Sequence, residues 1–215
     1  MATVSVLIPA AGSGVRLQRG PKAFVRVGGK TLLEWVLAAF AWADEIRVAL
    51  PPNVAPPKAA ANVSFVTGGG ERQDSVARLL AGARGEVVLV HDAARPFVVP
   101  EVTDRLLETV ALSGAAVPVV SVPDTLIEPE DGRYGPALER SRYALVQTPQ
   151  AFFREVLAEA HQLARARGHY ATDEAQLVKM LGYPVELVPG DRRMFKITYP
   201  EDLALAEALA ASWRV

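Results

Sequence analysis

The sequence contains no cysteine among its 215 residues, which excludes disulfides, thiolate metal sites and a thiol nucleophile. It also lacks a charge excess, because the formal net charge is −1. A general binder of nucleic acid or of a membrane surface normally carries a basic excess, so the balance argues against both classes. A run of about eighteen apolar residues is absent, as is an N-terminal signal pattern. We therefore expect a soluble, cytoplasmic protein.

Half of the residues are apolar, and a chain of this length can bury a substantial core. Short apolar runs alternate with helical stretches, which predicts a mostly parallel sheet flanked by helices on both faces. The predicted strands are Val4–Ile8, Ile46–Leu50, Val63–Thr67, Val87–His91, Ala115–Val120 and Val185–Val188. The predicted helices are Leu32–Ala43, Asp74–Ala83, Pro100–Leu112, Glu155–Arg165, Asp173–Leu181 and Pro200–Ala211, with Thr172 as the N-cap of the fifth. Ligands of such sheets bind beyond the carboxyl ends of the strands.

One segment, from about residue 123 to 147, departs from this alternation. It is polar, has little helical periodicity and carries the turn signal Glu130-Asp131-Gly132. The segments Thr125–Ile127 and Tyr143–Val146 predict two strands of a hairpin that leaves the main sheet. An isolated arm of this length is only marginally stable, so we expect it to pack on a partner in a homodimer. The chain is otherwise predicted to form a single domain over residues 1–215.

The loop after the first predicted strand is rich in small residues and runs from Pro9 to Arg16. Small residues and glycines let backbone N–H groups approach an anion without interference from side chains. Arg16 and Lys22 add two positive charges, so the loop predicts a polyphosphate ligand. The alternative is an ordinary strand-to-helix turn without a ligand.

Two familiar phosphate loops do not fit this sequence. A Walker A motif ending at Gly29–Thr31 would need its first glycine where Phe24 stands. A dinucleotide-binding fingerprint would need glycine or alanine where Leu17 stands. We therefore interpret Gly29–Thr31 as a turn, with Thr31 and Glu34 forming the capping box of the first helix.

Asp92 directly follows a buried strand, at the edge of the sheet where ligands gather. Such a carboxylate could hold Mg²⁺ or accept a hydrogen bond from a sugar or polyol hydroxyl. Alternatively, Asp92 caps the next turn and pairs with Arg95. His91 is interpreted as a structural residue at the strand end, and His161 and His169 as surface or helix-end residues.

Two further segments could contribute to the same site. Gly68–Gly70 follows the third predicted strand, and three glycines allow the backbone to approach a flat nucleobase closely. The alternative is that the segment only leads into a helix capped by Asp74 or Ser75. Lys196 lies in a strand-like apolar stretch, where it would bind phosphate if it faced the site and would be solvated if it did not.

These segments, in this order, resemble the 2-C-methyl-D-erythritol 4-phosphate cytidylyltransferases of the non-mevalonate isoprenoid pathway. The matching segments span nearly the whole chain and are Pro9–Arg16, Pro21–Lys22, Gly69–Val76, His91–Pro96, Thr148–Gln150, Thr172–Glu174, Lys196–Thr198 and Pro200–Leu203. The resemblance implies an α/β, Rossmann-like nucleotidyltransferase fold with a protruding β-arm and a homodimer with interlocked arms. It also implies CTP as the donor, 2-C-methyl-D-erythritol 4-phosphate as the acceptor and Mg²⁺ as the cofactor.

The resemblance also assigns roles to residues. The implied catalytic residues are Arg16, Lys22 and Lys196. The implied nucleotide-binding residues are Pro9, Ala10, Ala11, Gly12, Ser13, Gly14, Gly68, Gly70 and Ser75. The implied acceptor-binding residues are Asp92, Arg95 and Arg154, the last from the neighbouring subunit. Mg²⁺ would be held mainly by the CTP phosphates, with Asp92 as a candidate ligand.

Three positions depart from the family pattern. Two threonines of the family fall on Ala137 and Gln162, which removes two hydroxyl contacts to the acceptor phosphate. Gly70 stands where some members have an aspartate. Two rival functions follow: a cytidylyltransferase for another alditol or sugar phosphate such as ribitol phosphate, and a non-catalytic sensor of CTP.

Overall fold

The computed structural model describes residues 2–12 and 20–214. The strands are β1 (Val4–Pro9), β2 (Arg26–Val27), β3 (Lys30–Thr31), β4 (Glu45–Leu50), β5 (Val63–Thr67), β6 (Val87–Val90), β7 (Ala115–Ser121), β8 (Leu126–Ile127), β9 (Ala137–Leu138), β10 (Ala144–Val146), β11 (Gln150–Phe153) and β12 (Glu186–Pro189). The helices are α1 (Leu32–Ala39), α2 (Arg72–Ala81), α3 (Pro100–Ser113), α4 (Arg154–Ala166), α5 (Glu174–Met180) and α6 (Pro200–Ala210). In these described parts of the chain, no helix has both the length and the apolar character needed to span a bilayer.

The main sheet has the strand order β10-β7-β11-β6-β1-β4-β5, and β12 pairs with β7. Strands β6, β1, β4 and β5 are parallel neighbours, whereas β11 runs antiparallel between β6 and β7. The prediction of a mostly parallel sheet is therefore confirmed. The sequence analysis missed β11, because its four residues are too few to show a periodic pattern and lead directly into α4.

Helices cover both faces of the sheet, and the alternation along β1 shows how. Val6 and Ile8 belong to the core that includes residues of α1 and α3. Leu7 points to the opposite face, where it joins residues of α2, α4 and α5. Because successive side chains of a strand alternate between faces, an apolar strand such as β1 can serve both layers.

Local capping explains where several helices begin. At α1 the Thr31 hydroxyl accepts from the Glu34 N–H at 3.1 Å, and the Glu34 carboxylate accepts from the Thr31 N–H at 2.6 Å. The predicted capping box is thus confirmed. The N-cap of α5 is Asp173 and not Thr172, since the Asp173 carboxylate accepts from the Gln176 N–H.

The predicted pairing within the arm is wrong. Leu126–Ile127 pairs with Ala137–Leu138, whereas Ala144–Val146 joins the main sheet as an antiparallel neighbour of β7. The turn at Asp131-Gly132, where both residues have positive φ, determines the hairpin register. The partner strand therefore begins a few residues after the turn, in a segment too short to be predicted as a strand.

Candidate active site

A cleft with a volume of about 350 Å³ lies beyond the carboxyl ends of β1, β5 and β6. Its lining comes from the loops that follow these strands and from two segments near the chain ends. The lining residues are Pro9, Ala10, Ala11, Gly12, Lys22, Ala23, Gly69, Gly70, Glu71, Arg72, Ser75, Asp92, Ala93, Ala94, Lys196 and Thr198. This is the edge of the sheet at which a ligand was expected.

Four charged side chains form a chain of alternating sign beside the cleft. The Asp92 carboxylate accepts from Arg72 Nε at 3.0 Å with one oxygen and from Lys196 Nζ at 2.7 Å with the other. Arg72 Nη1 donates to both carboxylate oxygens of Glu174, at 2.9 and 2.8 Å. We call Arg72, Asp92, Glu174 and Lys196 the carboxyl-end cluster.

The protonation states of the carboxyl-end cluster follow from its pairing. Burial opposes ionisation of Asp92, but Arg72 and Lys196 hold its pKa well below the usual range. Burial likewise opposes the charge of Arg72, yet Glu174 and Asp92 raise its pKa above the ordinary value. Burial raises the pKa of Glu174, and Arg72 offsets part of that effect. Asp92 is therefore ionised at neutral pH, and both Glu174 oxygens accept hydrogen bonds from the Arg72 guanidinium.

A buried hydrogen-bond relay holds the backbone at Asp92. The Asp92 N–H donates to Thr148 Oγ1 at 3.0 Å, and His91 Nε2 lies 2.9 Å from the Arg95 carbonyl. Burial lowers the pKa of His91 to about 4, so the ring is neutral at pH 7. Since a carbonyl only accepts, Nε2 carries the proton, and Nδ1 accepts from the Thr148 hydroxyl at 3.2 Å. His91 is thus structural, as predicted.

The N-cap of α2 is Glu71 and not Asp74 or Ser75, which both lie within the helix. The Gly69 N–H donates to Ser75 Oγ at 3.0 Å, and the Asp74 carboxylate accepts from the Glu71 N–H. Gly69, Gly70 and Ser75 line the cleft. Gly68 does not, because it packs against Ala11, whose side chain would collide with a Cβ at that position. The contact of Gly68 with the nucleobase stays a prediction.

Lys22 and Lys196 both line the cleft, which resolves the two alternatives for Lys196 in favour of the site-facing one. Lys22 begins a short 3₁₀ turn, Lys22–Phe24. Pro9, Ala10, Ala11 and Gly12 also line the cleft, and their contact with a nucleotide stays a prediction. The predicted site residues Ser13, Gly14 and Arg16 lie outside the described residues.

Arg95 does not line the cleft. Its Nη1 donates to the Met194 carbonyl at 2.8 Å, so the guanidinium is anchored to the backbone beside the cleft. The alternative in which Arg95 pairs with Asp92 is wrong, since the ion pairs of Asp92 within the described residues are with Arg72 and Lys196, and the Arg95 guanidinium donates to backbone carbonyls instead. Arg95 nevertheless lies near enough to Asp92 for its charge to help lower the pKa of that carboxyl, and its contact with the acceptor stays a prediction.

Arg154 lines a second cleft, between α2 and α4. It is the first residue of α4, and its Nε donates to the Gly85 carbonyl at 3.1 Å. His161 also belongs to this region and is buried, so its interpretation as a surface or helix-end residue is wrong. In its own chain, Arg154 is thus separate from the first cleft, and a role at an acceptor site would require a second chain.

A divalent cation would find few protein ligands in the cleft. No group of three or more histidine or carboxylate side chains suited to a metal occurs within residues 2–12 and 20–214. The carboxylates that line the cleft are Glu71 and Asp92. Carboxylate oxygen is the ligand type that Mg²⁺ prefers, so Asp92 fits a role as one ligand of such an ion.

Sequence reasoning missed Arg72, Glu174 and Thr148 as parts of the site. Each lies inside a segment that the resemblance singled out, so the segments were correct although the partners were not recognised. Glu174 in particular is buried against Arg72, which stands 102 residues earlier in the chain.

Comparisons with known proteins show the family of this chain. The family model described as 2-C-methyl-D-erythritol 4-phosphate cytidylyltransferase matches residues 4–212. The chain is similar to the enzyme of that name from Thermus thermophilus, with 60% identity over 210 residues that cover 98% of each chain. It is 50% identical to the one from Deinococcus radiodurans, over 95% of this chain and 88% of that protein.

Solved structures give the same result for the fold. The crystal structure of the Thermus thermophilus enzyme superposes with a TM-score of 0.90 at 55% identity and covers 98% of both chains. The Francisella tularensis enzyme superposes with a TM-score of 0.84 at 29% identity, over 96% of this chain and 99% of that one. The predicted nucleotidyltransferase fold is confirmed.

Proposed function

Because the chain belongs to the 2-C-methyl-D-erythritol 4-phosphate cytidylyltransferase family, it is a nucleotidyltransferase of isoprenoid synthesis, and we propose how its cleft performs that reaction. CTP and 2-C-methyl-D-erythritol 4-phosphate react there to give 4-diphosphocytidyl-2-C-methyl-D-erythritol and pyrophosphate. The observation that carries the proposal is the union, in one cleft, of the small-residue loop Pro9–Gly12, two lysines and Asp92.

The nucleotide occupies the part of the cleft nearest β1 and β5. Pro9–Gly12 has small side chains that leave its backbone accessible to phosphates, and Lys22 adds a positive charge to the same lining. Gly69, Gly70 and Ser75 surround the cytosine, where small side chains let backbone groups reach the edge of the base. Arg16 and Lys22 stabilise the charge that develops on the departing pyrophosphate.

The acceptor needs no general base. A phosphate monoester has a second pKa of about 6, so most of it carries two negative charges at pH 7. One of its oxygens attacks the α-phosphorus of CTP and forms a new P–O bond. The bond from that phosphorus to the bridging oxygen breaks, and pyrophosphate leaves with the electron pair. Positioning and charge stabilisation therefore dominate catalysis, and Lys196 supplies positive charge beside the reacting phosphates.

Mg²⁺ fits this site as an ion held mainly by the phosphates of CTP, with Asp92 as its candidate protein ligand. When bound, the ion neutralises phosphate charge and so lessens the repulsion between the two anionic substrates. Asp92 also fits the polyol chain of the acceptor, because an ionised carboxylate accepts hydrogen bonds from hydroxyl groups. Its ion pairs with Arg72 and Lys196 keep it ionised at neutral pH.

The homodimer is supported by the exposed apolar edge beside the arm. Tyr143, Leu145 and Val146 are 47%, 50% and 41% exposed in a single chain, and β10 lies at one end of the sheet order. An exposed edge strand with large apolar side chains is a pairing surface. A partner chain that covers it could also bring Arg154 towards the acceptor phosphate. Sedimentation velocity of wild type and Leu145→Glu tests this, since the charge should shift the protein towards monomer.

The reaction is tested by pyrophosphate release from CTP with 2-C-methyl-D-erythritol 4-phosphate as the acceptor. UTP replaces CTP in one control, and ribitol phosphate replaces the acceptor in the other. We expect release only with the first pair. Release with ribitol phosphate alone would favour the rival cytidylyltransferase, and CTP binding without any release would favour a CTP sensor.

The nucleotide side of the site is tested by Lys22→Ala with Lys58→Ala as the matched control. Lys22 lines the cleft, whereas Lys58 lies in the connection between β4 and β5. Loss of one preorganised charge at the leaving group should lower kcat by about 10²–10³. Near-normal turnover of Lys22→Ala at saturating CTP would contradict the assigned role.

A further inference from the structure

Glu174 is a buried carboxylate that does not line the cleft. Its side chain is 1% exposed, and both of its oxygens accept from Arg72 Nη1. A carboxylate buried without a cation carries a large desolvation penalty, which the contact with Arg72 offsets. The residue therefore has a strong interaction with a group of the site, although it touches no open space in the cleft.

The start of α5 is held independently of Arg72. The Ala175 N–H donates to the buried Gln150 side chain at 3.3 Å, and the Asp173 carboxylate caps the helix through the Gln176 N–H. Gln73 adds two bonds to the preceding loop, with its side-chain oxygen accepting from the Ala171 N–H and its Nε2 donating to the His169 carbonyl. The position of Glu174 is consequently fixed by these bonds, and Glu174 in turn orients the long Arg72 side chain.

Arg72 divides its donors between two carboxylates. Nη1 serves Glu174 and Nε serves Asp92, whose other oxygen is bound by Lys196. Among the described residues, Nη2 has no hydrogen-bond partner, and Arg72 itself lines the cleft. The cluster therefore uses two of the three guanidinium nitrogens of Arg72.

We propose that Glu174 is a positioning residue for the transfer reaction, an inference that rests on the proposed function. By fixing Arg72, it limits that arginine to a single hydrogen bond with Asp92 and leaves the second Asp92 oxygen to Lys196. Without the Glu174 charge, Arg72 has one carboxylate partner left and forms a two-pronged pair with it, because a guanidinium fork matches a carboxylate. Lys196 then loses the oxygen that holds it beside the reacting phosphates.

The test compares Glu174→Gln with Asp173→Asn. Both variants remove one negative charge from the start of α5, and asparagine caps a helix about as well as aspartate. For Glu174→Gln we expect kcat to fall about tenfold and the acceptor KM to rise about tenfold, the scale seen when a partner one shell away from a site is removed. The CTP KM should change less, and Asp173→Asn should keep all three constants near wild type.

Two outcomes would overturn the proposal. One is a Glu174→Gln protein that unfolds at a lower temperature but keeps both KM values, since a purely structural role reduces only the amount of active enzyme. The other is an equal loss in Asp173→Asn. If Glu174→Gln does not fold, Glu174→Asp replaces it, because it keeps the charge but has a shorter side chain. The acceptor KM of Glu174→Asp should also rise, by less than that expected for Glu174→Gln.

A measurement without substrate separates this proposal from the proposed function. The Arg72 Nε–H resonance of the ligand-free protein is assigned by its absence in Arg72→Lys. In Glu174→Gln we expect this resonance to shift and its hydrogen to exchange faster with solvent, because the guanidinium is no longer fixed. An unchanged resonance contradicts the positioning role even if the enzyme is fully active. If the resonance shifts in Glu174→Gln but the wild type releases no pyrophosphate, the positioning role stands and the proposed function is contradicted.

Discussion

Each end of the central sheet carries a buried acid, and the two acids are surrounded in different ways. Asp92 follows the carboxyl end of β6 and belongs to the carboxyl-end cluster. Glu45 begins β4 at the opposite end, where it accepts from the Ser5 hydroxyl at 2.7 Å and from the Arg84 N–H at 3.0 Å. The side chains of Arg47 and Arg84 lie 3.5 and 3.4 Å from its other oxygen. We call Ser5, Glu45, Arg47 and Arg84 the amino-end cluster.

The two clusters differ in the further contacts of the residues that bind each acid. In the amino-end cluster the Ser5 hydroxyl also accepts from the Gly85 N–H at 2.8 Å, so the bonds turn back into the backbone. In the carboxyl-end cluster, Arg72 and Lys196 line the cleft as well as binding Asp92. Similar residue types therefore stabilise strand starts at one end and present charge to a ligand at the other. Burial and pairing alone do not distinguish a structural ion pair from a functional one.

The largest expected effect is on kcat and comes from removing a cation of the carboxyl-end cluster. Lys196→Ala should lower kcat by about 10²–10³, because a preorganised charge beside the reacting phosphates is lost. Its folding stability should change little, since Arg72 still pairs with Asp92. Steady-state kinetics and thermal unfolding of the same preparations measure both quantities.

Arg84→Ala is the matched variant in the amino-end cluster. The Arg84 side chain is 83% exposed, so its pair with Glu45 is screened by water. We expect kcat near wild type and a free energy of unfolding within about 0.5 kcal/mol of it. A large kinetic effect of Arg84→Ala, or none of Lys196→Ala, would remove the distinction between the two clusters.

The next effect is on stability and belongs to the amino-end cluster. Glu45→Gln keeps the shape of the side chain but removes its charge, and one of its ends then presents donors to two guanidinium groups. The free energy of unfolding at pH 7 should fall by about 2 kcal/mol, the scale of a buried charged hydrogen bond. Urea unfolding measures the loss, and unchanged kcat and KM values serve as the control.

The pH dependence of that loss has a definite sign. Burial opposes the charge of Glu45, but the bonds from Ser5 and the Arg84 N–H lower its pKa below the ordinary value. Its contribution is therefore fully present above the unfolded-state pKa of about 4.3 and is lost as the pH falls through the folded-state pKa. The difference between wild type and Glu45→Gln should shrink below about pH 4. A constant difference down to pH 3 would show that the charge of Glu45 is not its cause.

The sequence predicted the strands and the cleft segments better than the contacts between them. β5 has the predicted bounds, and the predicted starts of β1 and β4 lie within one residue of those observed, because buried parallel strands are short apolar runs. The cleft segments were also identified, because their residue types suit phosphates. The Arg72–Glu174 pair and the β8–β9 hairpin were not, since both depend on contacts that a linear pattern does not contain.

The smallest expected effect concerns a buried ionisable group that belongs to neither cluster. His161 is buried in α4, and within the described residues its Nε2 has no hydrogen-bond partner. Burial lowers its pKa to about 4, so the folded state holds the neutral ring while the unfolded state takes up a proton below about pH 6.5. Its contribution to stability is therefore complete above pH 6.5 and is lost as the pH falls towards 4.

His161→Leu should consequently be nearly neutral at pH 7, because an unpaired buried nitrogen is replaced by an apolar group. Between pH 7 and pH 5 the wild type should lose about 2 kcal/mol more stability than the variant, from the difference between the two pKa values. Both proteins keep His91, whose pKa is also lowered to about 4, so the variant retains part of the slope. Thermal unfolding across this pH range gives the comparison. Equal slopes of stability against pH would mean that His161 is protonated or hydrogen-bonded in the folded protein. The contrast between the paired acids of the two clusters and this unpaired histidine would then not hold.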